Sequence, residues 1–272
     1  MRPICSLIIS TYNTPDRLRR CLQSVAEQRV LPAEIIIADD GSSADTKAVV
    51  DEMSGMSIVP IVHVWQPDDG FRLARIRNKA ILRASNGYII NIDGDMLLDR
   101  YFVHDHLYFA RRGRFLSGDR AFLTTRSTQK YMDERNGFPS FYTASLKKRA
   151  HAIRWRKISE IYAAIHRPPE PWRYVVGCNM SFWRKDLFNI NGYNEAFKGW
   201  GGEDFDIAVR LANAGIRQYF LRFYAVAYHL DHPESDRSAA AANDVLFRQS
   251  VEHRITRIEH GINNHLYSLY DE

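Results

Sequence analysis

Along the first third of the chain, apolar residues fall in short unbroken blocks, and each block closes on small polar or acidic residues. Ile4 to Thr11 is the first, a strand followed by Asn13-Thr14-Pro15. Pro15 stands where a helix would start, and Leu18, Cys21, Leu22 and Val25 recur behind it at helical spacing. Glu34 to Ala38 predicts a second strand closing on Asp39-Asp40-Gly41-Ser42-Ser43, with a helix from Thr46 to Met53. Ile58 to Val64 predicts a third, followed by Asp68-Asp69-Gly70 and a helix from Arg72 to Ala84 that carries Arg72, Arg75, Arg77 and Lys79. Tyr88 to Ile92 is the fourth and delivers Asp93-Gly94-Asp95. Apolar runs of this length and β-branched content read as strands covered on both faces. Their alternation with helices predicts right-handed βαβ crossovers: an α/β, Rossmann-like, mostly parallel sheet flanked by helices.

Past Asp95 the alternation fades. Leu97 to Arg112 reads as a helix and Phe115 to Thr124 as a strand, whereas Arg126 to Pro171 is polar, aromatic and basic without a clear strand. The prolines around Pro168-Pro169-Glu170-Pro171 break the chain before a strand-like Val175 to Phe182 and a helical turn at Arg184 to Phe188. Ile207, Ala208, Leu211, Ala212 and Ala214 predict a helix beginning at Glu203 and Asp204 and ending at Gly215. Gln218 to Leu230 reads as one strand, and Ser238 to His260 as an amphipathic helix that packs on the core or makes an oligomer contact.

With 272 residues, 45% hydrophobic and 25% charged, the chain can bury a large core. A net charge of +5 suits phosphorylated ligands or an anionic membrane surface as well as nucleic acid, and decides nothing alone. Cys5, Cys21 and Cys178 stand in no paired spacing, which argues for a reducing compartment and against a disulfide framework. No export segment and no membrane-spanning run is legible, so the expectation is a cytoplasmic protein. Cations concentrate with apolar anchors over residues 146–157, a segment that could lie on anionic headgroups, contact an anionic acceptor, form a solvated helix or act as a mobile lid.

The candidate chemistry lies at strand ends, where open α/β sheets carry their ligands. In an extended segment, residues two apart share a side, so Asp93 and Asp95 could converge on one divalent cation with substrate phosphates, while Gly94 leaves room for close approach. Neither GxGxxG nor GxxxxGK[ST] occurs, which disfavours a dinucleotide fold and a P-loop. Arginines of the third helix would then meet phosphates, unless they form a solvated face. A second constellation is Gly199-Trp200-Gly201-Gly202-Glu203-Asp204: glycines that let the backbone bend, an aromatic plate for a sugar ring, then two carboxylates in the first turn of a helix. There the dipole and free amides favour the ionised form a general base needs, although plain helix capping would also use an acid. His229 and His232, near Asp231, could complete the coordination of the cation by imidazole.

Taken together, Ser10-Thr11-Tyr12-Asn13, Asp39-Asp40-Gly41-Ser42, Arg77-Asn78-Lys79-Ala80, Asp93-Gly94-Asp95 and Trp200-Gly201-Gly202-Glu203-Asp204, in this order, resemble the family 2 glycosyltransferases of GT-A fold over nearly the whole chain. The last motif is similar to the carboxyl-terminal half of galactosyl- and N-acetylgalactosaminyltransferases and bacterial capsule polymerases. The resemblance implies a nucleotide-sugar-binding half over 1–125, an acceptor-binding and catalytic half of the same domain over 126–237, and a C-terminal helical tail over 238–272. It implies a UDP-sugar donor held by Thr11, Tyr12, Asn13, Asp39, Asp40, Arg72, Arg77, Asp93 and Gly94. Asp204 would be the base, with Glu203, Trp200, Gly201 and Gly202 lining the sugar sites. Mn²⁺ or Mg²⁺ would be bound by Asp95 with Asp93 and His229, His232 competing for the last role. The implied reaction is inverting transfer of a hexose or N-acetylhexosamine to a glycan or lipid-linked glycan, in bacterial surface polysaccharide or lipopolysaccharide synthesis. A cytoplasmic enzyme peripheral to the inner membrane face is expected, with no nucleic acid partner. The competing readings are a nucleotidyltransferase, which would show a glycine-rich lysine-containing loop, and a non-catalytic nucleotide- or sugar-binding module, which would need neither base nor metal.

Overall fold

The computed structural model describes residues 3–166, 170, 172–233 and 236–266; the predicted break at Pro168, Pro169 and Pro171, and Glu234, lie outside them. The first part follows the predicted alternation: β1 (Cys5–Thr11), α1 (Pro15–Ala26), β2 (Glu34–Asp39), α2 (Ala44–Met56), β3 (Ile61–Trp65), α3 (Leu73–Arg83) and β4 (Tyr88–Asp93). These strands pair in parallel, with Ile8 of β1 opposite both Ile36 of β2 and Asn91 of β4. Period two divides each apolar run between two cores. Leu7, Ile9, Ile35 and Ile37 pack with Leu18, Cys21 and Leu22 of α1 and Val49 and Val50 of α2. Ile8, Ile36 and Ile89 pack on the other face with Ala74, Ile76, Ala80 and Ile81 of α3. Strands covered on both faces need no polar alternation, which is why the runs are continuous. The third strand starts later than Ile58 because Pro60 has no N–H to give the ladder, and Ile58 itself is 86% exposed.

Three predicted elements are corrected. The helix expected over 97–112 is a strand, β5 (Met96–Leu98), then α4 (Phe102–Phe109). The strand expected over 115–124 is two, β6 (Arg114–Ser117) and β7 (Ala121–Leu123), and that over 218–230 is also two. In the first, the chain changes sheet at Gly118, where a side chain would collide with Asn179 at 2.3 Å. In the second, Phe223 and Ala225 adopt positive φ of 61° and 48°, which no strand accommodates.

The remaining elements are α5 (Thr125–Met132), β8 (Leu146–Lys147), α6 (Arg156–Ile165), β9 (Met180–Trp183), α7 (Arg184–Asn189), α8 (Glu203–Asn213), β10 (Arg217–Phe220), β11 (Ala227–His229) and α9 (Ala240–Glu252). The basic 146–157 segment is therefore not one helix but β8, a 3₁₀ turn over Arg149–Ala152 and the start of α6. The main sheet runs β10-β6-β9-β4-β1-β2-β3, with β9 antiparallel to both neighbours; the smaller sheet is β5-β11-β7-β8. Because β9 and β10 complete the sheet begun by β1, residues beyond 125 share its core. This arrangement gathers the carboxyl ends of β1, β2 and β4, the small sheet's β11 and the amino end of α8 around one cavity. Among the described residues no helix is long and apolar enough to cross a membrane.

Candidate active site

Arg77 is the centre of the cavity floor. Placed on α3 beneath the ends of β1 and β4, it is 1% exposed, and each of its nitrogens has a partner. Nη2 donates to Asp93 Oδ1 at 3.0 Å, Nη1 to Asp204 Oδ1 at 2.8 Å, and Nε to Ser10 Oγ at 3.2 Å. Nη1 also lies 3.5 Å from Glu203 Oε1, and the guanidinium stands over the Tyr193 ring. Arg77, expected to hold the donor, ties three carboxylates from distant parts of the chain into one cluster. Truncating such a buried ion would leave the acids unpaired, so it acts here as a clamp.

The carboxylates differ according to their surroundings. Burial, reinforced by Asp204 against the pull of Arg77, pushes the Glu203 carboxyl up to about 8. The helix dipole favours the ionised form of both acids, but at Glu203 loss of hydration works against a helix end worth about 1 kcal/mol. Burial also pushes the Asp93 carboxyl up to about 6, with Arg77 opposing and Asp95 adding. Asp204 is pinned through Oδ1, while Oδ2 receives no hydrogen bond among the described residues and lies against Gly177, where a Cβ would stand 1.9 Å away.

The group of potential ligand atoms around Asp95 takes in two histidines and does not include Asp93, which the spacing had set beside it. The rule for residues two apart holds in extended chain, and Gly94 and Asp95 form a turn between β4 and β5. Gly94 N–H donates to the Ser10 carbonyl at 2.7 Å, a close approach that a side chain would crowd. Asp95 faces β11 and the segment after it: His232 Nε2 lies 2.9 Å and His229 Nε2 3.5 Å from Asp95 Oδ2. Potential ligand atoms of Asp95, His229 and His232 all fall within 4.8 Å of one another. Burial works to raise Asp95, yet the His232 hydrogen bond and the His229 charge hold it below the ordinary range. Burial lowers His229, while Asp95 raises His232. Asp95 Oδ1 is buried with no partner among the described residues. An anionic oxygen without a donor beside two imidazoles fits a divalent cation, and it brings in both histidines rather than choosing between them.

The cavity, about 710 Å³, is also lined by Thr11, Tyr12, Asp40, Gly94, Trp200, Gly201 and Gly202. Both oxygens of Asp40 are held, by Gln66 Nε2 at 2.6 Å and by the Arg72 N–H at 2.7 Å. Tyr12 is 47% exposed and donates to Asp68 at 2.9 Å. Trp200 is 40% exposed, with the Arg237 guanidinium over its ring. Gly201 and Gly202 take φ of 97° and 99°, which admits glycine and lets the loop turn directly into α8. Asn13, Asp39 and Arg72 are not brought into the lining. Asn13 caps Ser43, Asp39 holds the Ser42 N–H and His63, and the Arg72 side chain pairs with Asp69. Their work is to shape the loops behind Asp40.

Sequence reasoning missed Arg120, Gly177 and the face of α9. Arg120 follows Gly118-Asp119, a turn signal inside an apolar run that could have marked it. Asn243 of α9 carries no such signal, yet its Nδ2 donates to the Gly201 carbonyl at 2.8 Å and the Lys198 carbonyl at 3.1 Å, anchoring the glycine loop.

Comparison with known proteins identifies the family and the fold. The profile of Glycosyl transferase family 2 matches residues 6–188, and that described as the N-terminal domain of galactosyltransferase matches 159–233. Chondroitin synthase of Escherichia coli is 30% identical over 86% of this chain, and hyaluronan synthase of Pasteurella multocida 27% over 86%. The chain spans 36% and 26% of those proteins. Among solved structures, the mannosyltransferase PcManGT from Pyrobaculum calidifontis, in complex with GDP-Man and Mn²⁺, superposes with a TM-score of 0.59 at 16% identity, covering 96% of this chain and 66% of its own. S. aureus TarS residues 1–349 with UDP-GlcNAc reaches 0.57 at 17%, covering 85% and 59%. The fold is therefore the GT-A fold, and with a matched profile spanning most of its length the chain belongs to glycosyl transferase family 2.

Proposed function

We propose that this chain is an inverting, metal-dependent transferase that moves a hexose or N-acetylhexosamine from a UDP-sugar to a hydroxyl of a glycan or glycolipid, in the synthesis of a surface polysaccharide or lipopolysaccharide. The observation that carries the reading is Asp204: one oxygen pinned by Arg77, the other free of donors among the described residues, in the same cavity as the Asp95, His229 and His232 cluster. Support for the donor and acceptor classes comes from relatives named as chondroitin and hyaluronan synthases and from a neighbour solved with UDP-GlcNAc.

In this reading Thr11, Tyr12, Asp40 and Gly94 hold the uridine from the 1–125 half, and Asp93 sits by the ribose. Trp200 and the Gly201-Gly202 backbone receive the sugars from the 126–237 half, and α9 of the 238–272 tail braces them. Asp204 Oδ2 takes the proton of the acceptor hydroxyl as that oxygen bonds the anomeric carbon and the bond to UDP breaks, which inverts configuration. Arg77 keeps the base oriented, and burial pushes the neighbouring Glu203 carboxyl towards its neutral form, which limits the negative charge beside the base. When bound, Mn²⁺ or Mg²⁺ on Asp95, His229 and His232 supplies Lewis-acid neutralisation of the departing diphosphate. The reaction would run at the cytoplasmic membrane face, where the basic residues around 147–157 meet an anionic acceptor or lipid surface.

Calorimetric titration of UDP with and without Mn²⁺, on the wild type and Asp95→Ala, tests the reading together with UDP release from a panel of UDP-sugars. Mn²⁺-dependent binding lost in the variant, with release from one donor, is the expected result. Failure of UDP to bind under either condition overturns it.

A further inference from the structure

The cavity is rich in acids, yet its proposed donor carries a diphosphate, so the cations that remain uncommitted matter. Arg77 is locked by Asp93 and Asp204. Arg120 is different. It lines the cavity, has no carboxylate within ion-pair distance among the described residues, and its Nε is buried without a partner. Its Nη1 faces the Cys178 sulfur at 3.4 Å. Burial pushes that thiol up to about 12, so the neighbour is neutral and the guanidinium has no counter-ion there. Arg120 lines the same cavity as Asp95, His229 and His232, which sets it beside the metal-ligand cluster.

The surrounding structure holds this arginine rather than leaving it on a loose turn. The Gly118 N–H donates to the Asn179 carbonyl at 2.7 Å, and Asn179 Nδ2 donates to the Asp119 carbonyl at 2.7 Å. Asn179 is itself fixed by His106 Nε2 at 2.9 Å. The Asp119 carboxylate is gripped by His151 at 2.7 Å and faces Arg222 at 3.8 Å, and the Phe122 ring lies beneath the Arg120 guanidinium. A half-buried, prepositioned guanidinium whose Nε has no partner among the described residues matches phosphate oxygens and is less costly to dehydrate than an ammonium.

We infer that Arg120 is the diphosphate-recognising residue of this site, donating to the phosphate oxygens of the departing nucleoside diphosphate. The inference rests on the proposed donor chemistry and adds to it the residue that meets the second phosphate. The test compares UDP, UMP and uridine by calorimetry at one Mn²⁺ concentration on wild type, Arg120→Met and Arg120→Lys, with thermal melting to verify folding. A charge-assisted hydrogen bond corresponds to about tenfold in affinity or more. Arg120→Met is expected to weaken UDP by at least that factor while UMP and uridine change by less than about threefold, with Arg120→Lys in between. Equal weakening of UDP and uridine would overturn the inference, since it marks a collapsed loop. Unchanged UDP affinity in a folded Arg120→Met would also overturn it, and loss in Arg17→Met instead would assign the role to another arginine of the lining. If UDP fails to bind the wild type, the donor reading falls and the inference with it, an outcome distinct from equal binding by both proteins.

Discussion

In the proposed mechanism two atoms of one residue carry the chemistry. Asp204 Oδ1 is anchored and Oδ2 receives no hydrogen bond among the described residues, so Asp204→Asn keeps the Arg77 contact through its amide oxygen and removes the proposed proton acceptor. Turnover measured by UDP release is expected to fall by a factor of about a hundred or more, with UDP affinity within a few-fold of wild type. Gly177 enforces the same geometry from outside: the Cβ of Gly177→Ala would stand 1.9 Å from Asp204 Oδ2 and push the carboxylate aside. That variant is expected to lose turnover while UDP binding, measured by calorimetry, survives. At the other wall, His229→Ala and His232→Ala are each expected to weaken Mn²⁺ by about tenfold or more in direct titration, because both imidazoles reach Asp95. An effect confined to His229 would exclude His232 from the cluster.

At the scale of elements, α8 and α9 determine whether the glycine loop holds its shape. Asp206 and Arg210 of α8 form a pair with both side chains fully buried; Arg210 reaches the Ile190 and Gly192 carbonyls, and Ser250 Oγ of α9 donates to Asp206 Oδ1 at 2.6 Å. Asp206→Ala strands a buried guanidinium and is expected to cost about 3–5 kcal/mol in denaturant unfolding. Asn243→Ala removes bonds to the Gly201 and Lys198 carbonyls and is expected to cost only about 1–2 kcal/mol, yet to raise the acceptor KM, because the loop that loses its anchor carries Trp200. These elements also mark how far the sequence could be read. The α1, α2 and α3 faces were legible because their apolar positions recur at helical spacing against a two-faced sheet. The ends of β7 and β11 were not, because a strand that crosses between sheets keeps its apolar residues while only Gly118, Phe223 and Ala225 record the turn.

For the molecule as a whole, a buried polar chain joins the two sheets and sets the acid limb of stability. His106 is fully buried between Ser181 Oγ at 2.8 Å and Asn179 Oδ1 at 2.9 Å, and loss of hydration lowers it to about 3. The unfolded chain takes up this proton near pH 6.5 and the folded one does not. Its contribution is therefore complete above that pH and is lost between 6.5 and 3. Relative to His106→Gln, the wild type is expected to lose about 1.4 kcal/mol of unfolding free energy per pH unit in that window, measured by urea denaturation at a series of pH values. Parallel curves would show that His106 is not the titrating group. The comparison between the two proteins matters because Glu203 and Asp93, both raised by burial, act in the opposite direction. The sequence by itself determined the parallel α/β order, the acidic strand ends and the glycine-tryptophan loop, since each is written in the spacing of neighbouring residues. Tertiary structure alone decided that Arg77 clamps the acids, that Asp95 meets both histidines, and that Arg120 and α9 complete the cavity. Those outcomes depend on which distant groups share one desolvated space, and local periodicity carries no record of that.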